Sequence, residues 1–198
     1  MPVGVFGTVS VTIFGEKRMR IIKLALVTGL AVFVLTGSAQ AITVKKRTEA
    51  PGLPPEIWQV VGSFCAIKDW HPAVASCEET KEGDVTFRTL TLKDGGKIKE
   101  KRTGTEDTAY TYEIVESPLP VKNYKSKLWL EMDDEPDRSV ILWQSDFDAN
   151  GASDAEAKNV ITGILADGVK GIKKAAIEAW DKKHPGEAQK DQNEDDKN

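Results

Sequence analysis

The stretch SDAEAKNVITGILADGVKGIKKAAIEAWD, residues 153 to 181, predicts one long amphipathic helix near the end of the chain. Ser153 and Glu156 have the spacing of a capping box, in which a hydroxyl and a carboxylate satisfy the first free amides of a helix. Apolar residues then recur at helical spacing and form one broad face. These residues are Val160, Ile161, Ile164, Leu165, Val169, Ile172, Ala175, Ala176, Ala179 and Trp180. A single helix cannot bury such a face alone, so the preceding chain must supply an apolar surface.

The chain before this helix predicts a sheet that can cover the apolar face. Residues 42 to 49 can form a first strand, and Pro55 suits the first turn of a short helix. A second short helical turn over residues 66 to 70 stops before His71-Pro72, because a residue that precedes proline leaves helical space. From Val74 onward apolar and polar residues alternate, which is typical of strands. We therefore predict an α+β fold in which a curved antiparallel sheet of about seven strands surrounds the long C-terminal helix, with two short helices after the first strand.

The hairpin around Asp94-Gly95-Gly96 places two charges on an apolar face. We pair Leu92 with Ile98 across a three-residue loop, because this register puts the leucines and the isoleucine on one side of the sheet. Arg88 and Glu100 then point to the same side. Burying such charges is costly unless they meet each other or a ligand. The pattern leaves open a structural ion pair at the edge of the sheet and polar groups inside a ligand cavity.

The first 41 residues have the features of a cleavable signal peptide. Basic residues between 17 and 23 precede a short apolar run over 24 to 36, and Ala39-Gln40-Ala41 is a small-x-small cleavage signal. Met19 is the expected start of translation, because the stretch that it begins is a complete signal peptide. The apolar run is short for a bilayer span, so we expect no stable membrane insertion after cleavage. An uncleaved anchor is the alternative, and the prediction is a periplasmic protein.

The expected mature chain, residues 42 to 198, is acidic. Loss of the leader removes four basic residues and one acidic residue, which leaves 23 Lys and Arg against 30 Asp and Glu and a net charge of −7. This composition argues against nucleic acid as a partner, since nucleic acid needs a basic surface. We expect one domain over residues 42 to 182 and a disordered acidic tail over residues 183 to 198.

The two cysteines, Cys65 and Cys77, would enter an oxidising compartment behind such a leader. An even number of cysteines there indicates a disulfide, and two buried thiols are the alternative. The two cysteines and two histidines have no recognisable metal-site spacing, so we predict no metal and no cofactor. His71 lies near Cys65 in sequence, but that pair does not define a catalytic dyad, and we assign no catalytic residue.

Several short motifs mark the domain. They are Pro54-Pro55-Glu56-Ile57-Trp58, Trp70-His71-Pro72, Val74-Ala75-Ser76-Cys77-Glu78, Arg88-Thr89-Leu90-Thr91-Leu92, Tyr110-Thr111-Tyr112, Pro118-Leu119-Pro120-Val121 and Asp146-Phe147-Asp148. Together with the order of elements, they resemble the START/Bet v 1-like superfamily, also called SRPBCC, in its polyketide cyclase/dehydrase-type branch. The resemblance covers roughly residues 44 to 176 and implies the helix-grip fold. The superfamily includes lipid carriers, hormone receptors and cyclases, so it implies a fold more sharply than a function.

The resemblance also implies an apolar cavity between the sheet and the long helix. Carried over residue by residue, it places the following residues at or near that cavity: Trp58, Trp70, His71, Arg88, Leu90, Glu100, Tyr110, Tyr112, Tyr124, Leu128, Trp143, Phe147, Ile164 and Val169. Large aromatic area with a few polar anchors suits an apolar ligand with a polar end, although such residues also simply fill cores. Gly163, Gly168 and Gly171 each cost about 1 kcal/mol against alanine inside a helix, so they either let strands approach closely or leave room for a ligand.

Three functions follow from the resemblance. The first is an exported binding protein for a small hydrophobic ligand. The second is an MxaD-type accessory protein, which in the periplasm is thought to assist methanol dehydrogenase and its cytochrome c partner; an acidic surface suits docking on such a redox enzyme. The third is a cyclase or dehydratase that uses His71, Arg88 or Glu100 as acid, base or anchor. The sequence shows no nucleophile–base pair, so we favour a binding protein over an enzyme.

Overall fold

A computed structural model describes residues 41–185. The elements are β1 (Ile42–Pro51), α1 (Pro54–Val61), α2 (Ile67–Trp70), β2 (Val74–Glu82), β3 (Val85–Leu92), β4 (Lys97–Glu106), β5 (Ala109–Glu116), β6 (Val121–Met132), β7 (Arg138–Ala149) and α3 (Asp154–Lys183). The predicted α+β helix-grip fold is confirmed, including the two short helices after the first strand. The predicted leader with its start at Met19, and the predicted tail beyond Pro185, lie outside the described residues.

The strands form one antiparallel sheet in the order β1-β7-β6-β5-β4-β3-β2. Neighbours in the sheet follow the chain except for β1, which pairs with β7, so β1 and β2 are the two edges. The connection from β1 to β2 must therefore cross the sheet, and it does so through α1 and α2. Helix α1 contacts α3, β6 and β7, while α2 contacts β2 and α3. These two short helices and α3 together cover the inner face. None of the helices in this part of the chain has the length and apolar character that crossing a membrane requires.

Helix α3 begins as the sequence predicts. The Ser153 hydroxyl accepts a hydrogen bond from the Glu156 amide at 3.3 Å, and the Glu156 carboxylate accepts one from the Ser153 amide at 2.9 Å. The residues that α3 buries are Ala157, Ile161, Leu165, Gly168, Val169, Ile172 and Ala176. This stripe is narrower than the predicted apolar face, because Val160 at its margin is 39 % exposed.

The predicted register of the β3–β4 hairpin is wrong by two residues. Leu90, and not Leu92, lies opposite Ile98, and Arg88 lies directly opposite Glu100. The loop starts one residue earlier than predicted: Leu92 is the last residue of β3 and its amide donates to the Gly96 carbonyl, so residues 93 to 95 form the loop instead of 94 to 96. A shift of two residues leaves every side chain on its original face, since side chains alternate with period two. The predicted inward direction of the arginine and the glutamate is therefore correct.

Two of the three glycines inside α3 mark close approaches. A Cβ atom at Gly168 would collide with the Trp143 ring, and one at Gly171 would collide with the backbone carbonyl of Trp70. The approaching groups are thus a side chain of β7 and the end of α2, rather than the strand backbones that we predicted. Gly163 has no atom near its missing Cβ, and nothing in the structure explains this glycine.

A disulfide fastens the connection between α1 and α2 to the edge strand β2. It joins Cys65 to Cys77, whose Cα atoms are 5.5 Å apart. The Cys65 amide also donates a hydrogen bond to the Glu79 carboxylate at 3.1 Å. Since β2 pairs only with β3, these two contacts anchor a strand that is otherwise largely exposed.

Candidate functional site

A small cavity lies between the inner face of the sheet and α3. Its volume is about 70 Å³. The lining residues are Ile67, His71, Ala73, Val74, Leu90, Leu92, Ile98, Glu100, Tyr112, Ile114, Leu119, Tyr124, Trp143, Ile161 and Ile164. Aliphatic side chains form most of this wall, and side chains with polar groups from four strands and from the α2–β2 connection form the rest. Glu100 is the only acidic residue in the lining, which contains no lysine or arginine.

The structure places half of the predicted cavity residues in this lining. Those that line the cavity are His71, Leu90, Glu100, Tyr112, Tyr124, Trp143 and Ile164. The other seven do not line it: Trp70, Tyr110, Leu128, Phe147 and Val169 belong to the buried hydrophobic core, Arg88 is a buried charged residue, and Trp58 packs partly buried against the core. Alternation along a strand identifies the buried face, but it does not show which part of that face is left uncovered.

Sequence reasoning missed several aliphatic lining residues. They are Ile67, Ala73, Val74, Leu92, Ile98, Ile114, Leu119 and Ile161. The sequence could have identified three of them. Ile98 and Ile114 lie at inward-facing positions of their strands, and Ile161 follows the helical spacing of the buried face of α3. Ala73 and Leu119 lie in connections between elements, where no periodic pattern reports the direction of a side chain.

Arg88 and Glu100 form a buried ion pair across β3 and β4. The Arg88 Nε atom donates to Glu100 Oε2 at 2.5 Å, and the two residues are 0 % and 4 % exposed. Arg88 also donates through Nη1 to the Phe64 carbonyl, and its guanidinium carbon lies 4.0 Å from the centre of the Phe64 ring. The Nη2 atom has no hydrogen-bond partner among the described residues. Glu100 belongs to the cavity lining, whereas Arg88 does not.

The protonation state of each member of this pair depends on the charge of the other. Burial by itself lowers the pKa of Arg88, but the Glu100 carboxylate and the two neighbouring tyrosines more than offset this, and the net shift is upward. Burial raises the pKa of Glu100, and the charge and hydrogen bond of Arg88 oppose that rise without cancelling it, so the net shift is upward. The guanidinium therefore stays charged, and it stabilises the carboxylate as an acceptor at the cavity wall.

A hydrogen-bonded cluster lies beside the ion pair. The Trp143 indole N–H is 3.1 Å from the Tyr112 hydroxyl and 2.9 Å from the Ser126 hydroxyl, and donates to both. The Ser145 hydroxyl is hydrogen-bonded to two others, the Tyr124 hydroxyl at 2.6 Å and the Ser126 hydroxyl at 2.9 Å. Burial raises the pKa of both Tyr112 and Tyr124, so their hydroxyls stay neutral near pH 7. The polar end of the cavity thus consists of neutral, hydrogen-bonded hydroxyls and of the Glu100 carboxylate, whose own hydrogen-bond partner is Arg88.

His71 uses both ring nitrogens within the protein. Its Nδ1 atom accepts the Ala73 amide hydrogen at 3.2 Å, so Nε2 must carry the ring hydrogen, which it donates to the Ile164 carbonyl at 3.1 Å. Burial lowers the pKa of His71, and the bond to Ile164 opposes the shift. The imidazole is therefore neutral and held in one tautomer, which leaves no free nitrogen for acid–base chemistry in this arrangement. Among residues 41–185, no group of His, Cys, Asp and Glu is placed to hold a metal ion.

Comparison with known proteins places this geometry in a family. The family model described as "Polyketide cyclase / dehydrase and lipid transport" matches residues 41–176. The structure of XoxI from Bacillus cereus shares 33 % identity, covers 68 % of this chain and 94 % of its own, and superposes with a TM-score of 0.64. An uncharacterised protein from Bacillus thuringiensis also shares 33 % identity, with coverage of 68 % and 98 % and a TM-score of 0.63.

A more distant structure shows the fold alone. The Zhui aromatase/cyclase of a Streptomyces strain shares 15 % identity, covers 71 % of this chain and 94 % of its own, and has a TM-score of 0.57. No curated protein matches the sequence significantly. The matched family model spans well over half of the chain, and two structures with one-third identity cover the same domain. This chain therefore belongs to the polyketide cyclase/dehydrase and lipid transport family of the START/Bet v 1-like superfamily.

Proposed function

We propose that this chain is an exported protein that binds a small hydrophobic ligand between the sheet and α3. One observation carries the proposal: the cavity has an aliphatic wall and a single polar end, formed by Glu100 and the hydroxyl network of Tyr112 and Tyr124. Such a lining suits an apolar molecule with one polar group. The family and the fold are those of a START/cyclase-like ligand-binding domain, which supports the same function.

The size of the cavity limits what it holds at rest. At about 30 Å³ for each molecule of liquid water, a volume of about 70 Å³ corresponds to roughly two waters. Ligand pockets usually enclose about 300 to 1,000 Å³. A ligand with a ring or an alkyl chain must therefore displace part of the wall. Leu119 is the clearest candidate, because it is only half-buried and lies in the loop between β5 and β6.

Export to the periplasm is part of the proposal. The features of a signal peptide in residues 1 to 41 support it. The bond between Cys65 and Cys77 supports it as well, because structural disulfides persist mainly in oxidising compartments.

Native mass spectrometry tests the binding function. The mature chain is purified from its own periplasm without detergent, and the spectrum is searched for a bound small molecule. The variant Ile164→Phe adds bulk to the cavity wall, and Val160→Phe introduces the same side chain one turn earlier on α3, where the residue is 39 % exposed. We expect a bound molecule in the parent and in Val160→Phe but not in Ile164→Phe. Equal retention by both folded variants contradicts the cavity as the binding site.

The small cavity favours a second function. An MxaD-type accessory protein that docks on a periplasmic redox enzyme, such as methanol dehydrogenase with its cytochrome c, needs no ligand cavity. The expected net charge of −7 for the mature chain supports docking on a basic partner. The same spectra separate the two functions, because an accessory protein copurifies with a dehydrogenase or a cytochrome instead of a small molecule.

A further inference from the structure

The polar end of the cavity carries information about its ligand, if the chain has the proposed binding function. Among the lining residues Glu100 is the only one with a formal charge, because His71 is neutral in its observed hydrogen bonds. Arg88, its partner, is fully buried and absent from the lining. A molecule that enters the cavity therefore meets a carboxylate before it meets the guanidinium.

The side-chain N–H donors in the lining are already used. Trp143 donates its indole hydrogen to Tyr112 and Ser126, and His71 donates its ring hydrogen to the backbone of Ile164. A carboxylate ligand would thus find only the hydroxyl groups of Tyr112 and Tyr124 as side-chain donors, and it would bring a second negative charge next to Glu100. Like charges at short distance in a buried site strongly disfavour each other.

A cationic ligand fits little better. The Arg88 Nε atom lies 2.5 Å from the Glu100 carboxylate, so the pair as a whole is close to neutral. A second cation would compete with Arg88 for the carboxylate and be repelled by the guanidinium. A neutral group with a hydrogen to donate suffers neither penalty, and hydrogen bonds to charged acceptors are stronger than those between neutral groups.

We propose that the cavity recognises a neutral hydroxyl on a small apolar molecule, such as an alcohol or a phenol, through the Glu100 carboxylate. The aliphatic wall takes the apolar body, and the ion pair with Arg88 keeps the carboxylate oriented as an acceptor. In this arrangement the arginine positions Glu100 and does not itself contact the ligand.

Three probes of similar shape test this selectivity on the mature wild-type chain. Phenol, toluene and benzoate have the same ring and must displace the same part of the cavity wall. Differences in their affinities therefore report the interactions at the polar end of the cavity. Binding is followed at pH 7 by titration of the Trp143 indole N–H signal in an NMR spectrum. We expect phenol to bind about tenfold more tightly than toluene, in line with a net hydrogen bond to a charged acceptor, and benzoate to show no measurable binding.

A charge-neutral variant gives a second readout. Glu100→Gln removes the negative charge and frees Arg88, so we expect the preference for phenol to fall and benzoate to gain measurable binding. Glu116→Gln, on the exposed end of β5, is the matched control and should keep the wild-type ranking. If Glu100→Gln does not fold, the ranking of the three probes on the wild type still decides.

The outcomes separate this inference from the proposed function. Benzoate binding to the wild type as tightly as phenol, or phenol binding no more tightly than toluene, overturns the hydroxyl selectivity while leaving a binding protein. Failure of all three probes to bind counts against the binding function itself, and the selectivity falls with it.

Discussion

His71 joins the α2–β2 connection to Ile164 on α3, because its Nε2 hydrogen is donated to the Ile164 carbonyl at 3.1 Å. The same ring accepts the Ala73 amide hydrogen on its other side. On the outer side of this connection a groove of about 420 Å³ runs between α2 and α3, and His71 and Val74 line both that groove and the inner cavity. One neutral imidazole thus holds the wall that separates the cavity from the groove.

The stability of the fold should depend on pH through His71. Burial lowers the pKa of this histidine below its ordinary value of 6.5. The unfolded chain then takes up the proton first, so the stabilisation is complete above pH 6.5 and is lost as the pH falls from 6.5 through the folded pKa. Urea unfolding at pH 7.5 and pH 5.5 measures the difference.

Two variants isolate that effect. His71→Phe keeps a ring in the wall but cannot titrate, so its free energy of unfolding should change less between the two pH values than that of the parent. His184→Gln, which alters the other histidine at the end of α3, should behave like the parent. An unchanged pH dependence in His71→Phe would show that the histidine does not contribute.

Removing one member of the Arg88–Glu100 pair should destabilise the fold strongly, whereas replacing both members with apolar residues should destabilise it much less. Arg88→Met or Glu100→Leu alone leaves one charge buried without its partner, and we expect a loss of about 3 to 5 kcal/mol in the free energy of unfolding. The double variant should lose much less than the sum, because no buried charge remains. A double-mutant cycle in urea measures the coupling.

An exposed pair is the matched control for that cycle. Lys127 and Glu106 lie 2.8 Å apart at the surface, where their side chains are 38 % and 64 % exposed. Solvent screens such a pair, so its coupling should be about 0 to 1 kcal/mol. Additive losses at Arg88 and Glu100 would contradict a coupled buried pair.

The three glycines of α3 should respond to alanine in opposite directions. Gly163→Ala meets no neighbouring atom and should stabilise the helix by about 1 kcal/mol. Gly168→Ala presses on the Trp143 ring and Gly171→Ala on the Trp70 carbonyl, so each should destabilise by about 1 to 3 kcal/mol despite the gain in helix propensity. Thermal unfolding of the three variants tests this, and equal shifts of the same sign would argue against the close approaches.

The disulfide should be complete in protein purified from an oxidising compartment. Thiol titration of the unfolded, unreduced mature chain should find no free thiol, because Cys65 and Cys77 are bonded to each other. Replacing both by serine should lower the free energy of unfolding by about 3 kcal/mol, the value for a loop of roughly 15 residues in the chain-entropy model. Two free thiols per chain would rule out the bridge.

The sequence by itself determined the architecture. Capping residues, helical spacing and alternation are local patterns, so Ser153 with Glu156 marks the start of α3 and the strands reveal their inner face without any knowledge of their neighbours. The inward direction of Arg88 and Glu100 followed from parity alone and survived a register error of two residues, because that shift does not change the face.

Only the tertiary structure decided the register, the cavity and its lining. Parity repeats every two residues, so it could not show that Arg88 lies directly opposite Glu100 and not offset from it. A cavity is the space that remains after several elements have packed together. Its volume of about 70 Å³ and the presence of Ala73 and Leu119 in its lining depend on distances between segments far apart in the chain. No local pattern encodes such distances, which is why the sequence located the buried face but not the space within it.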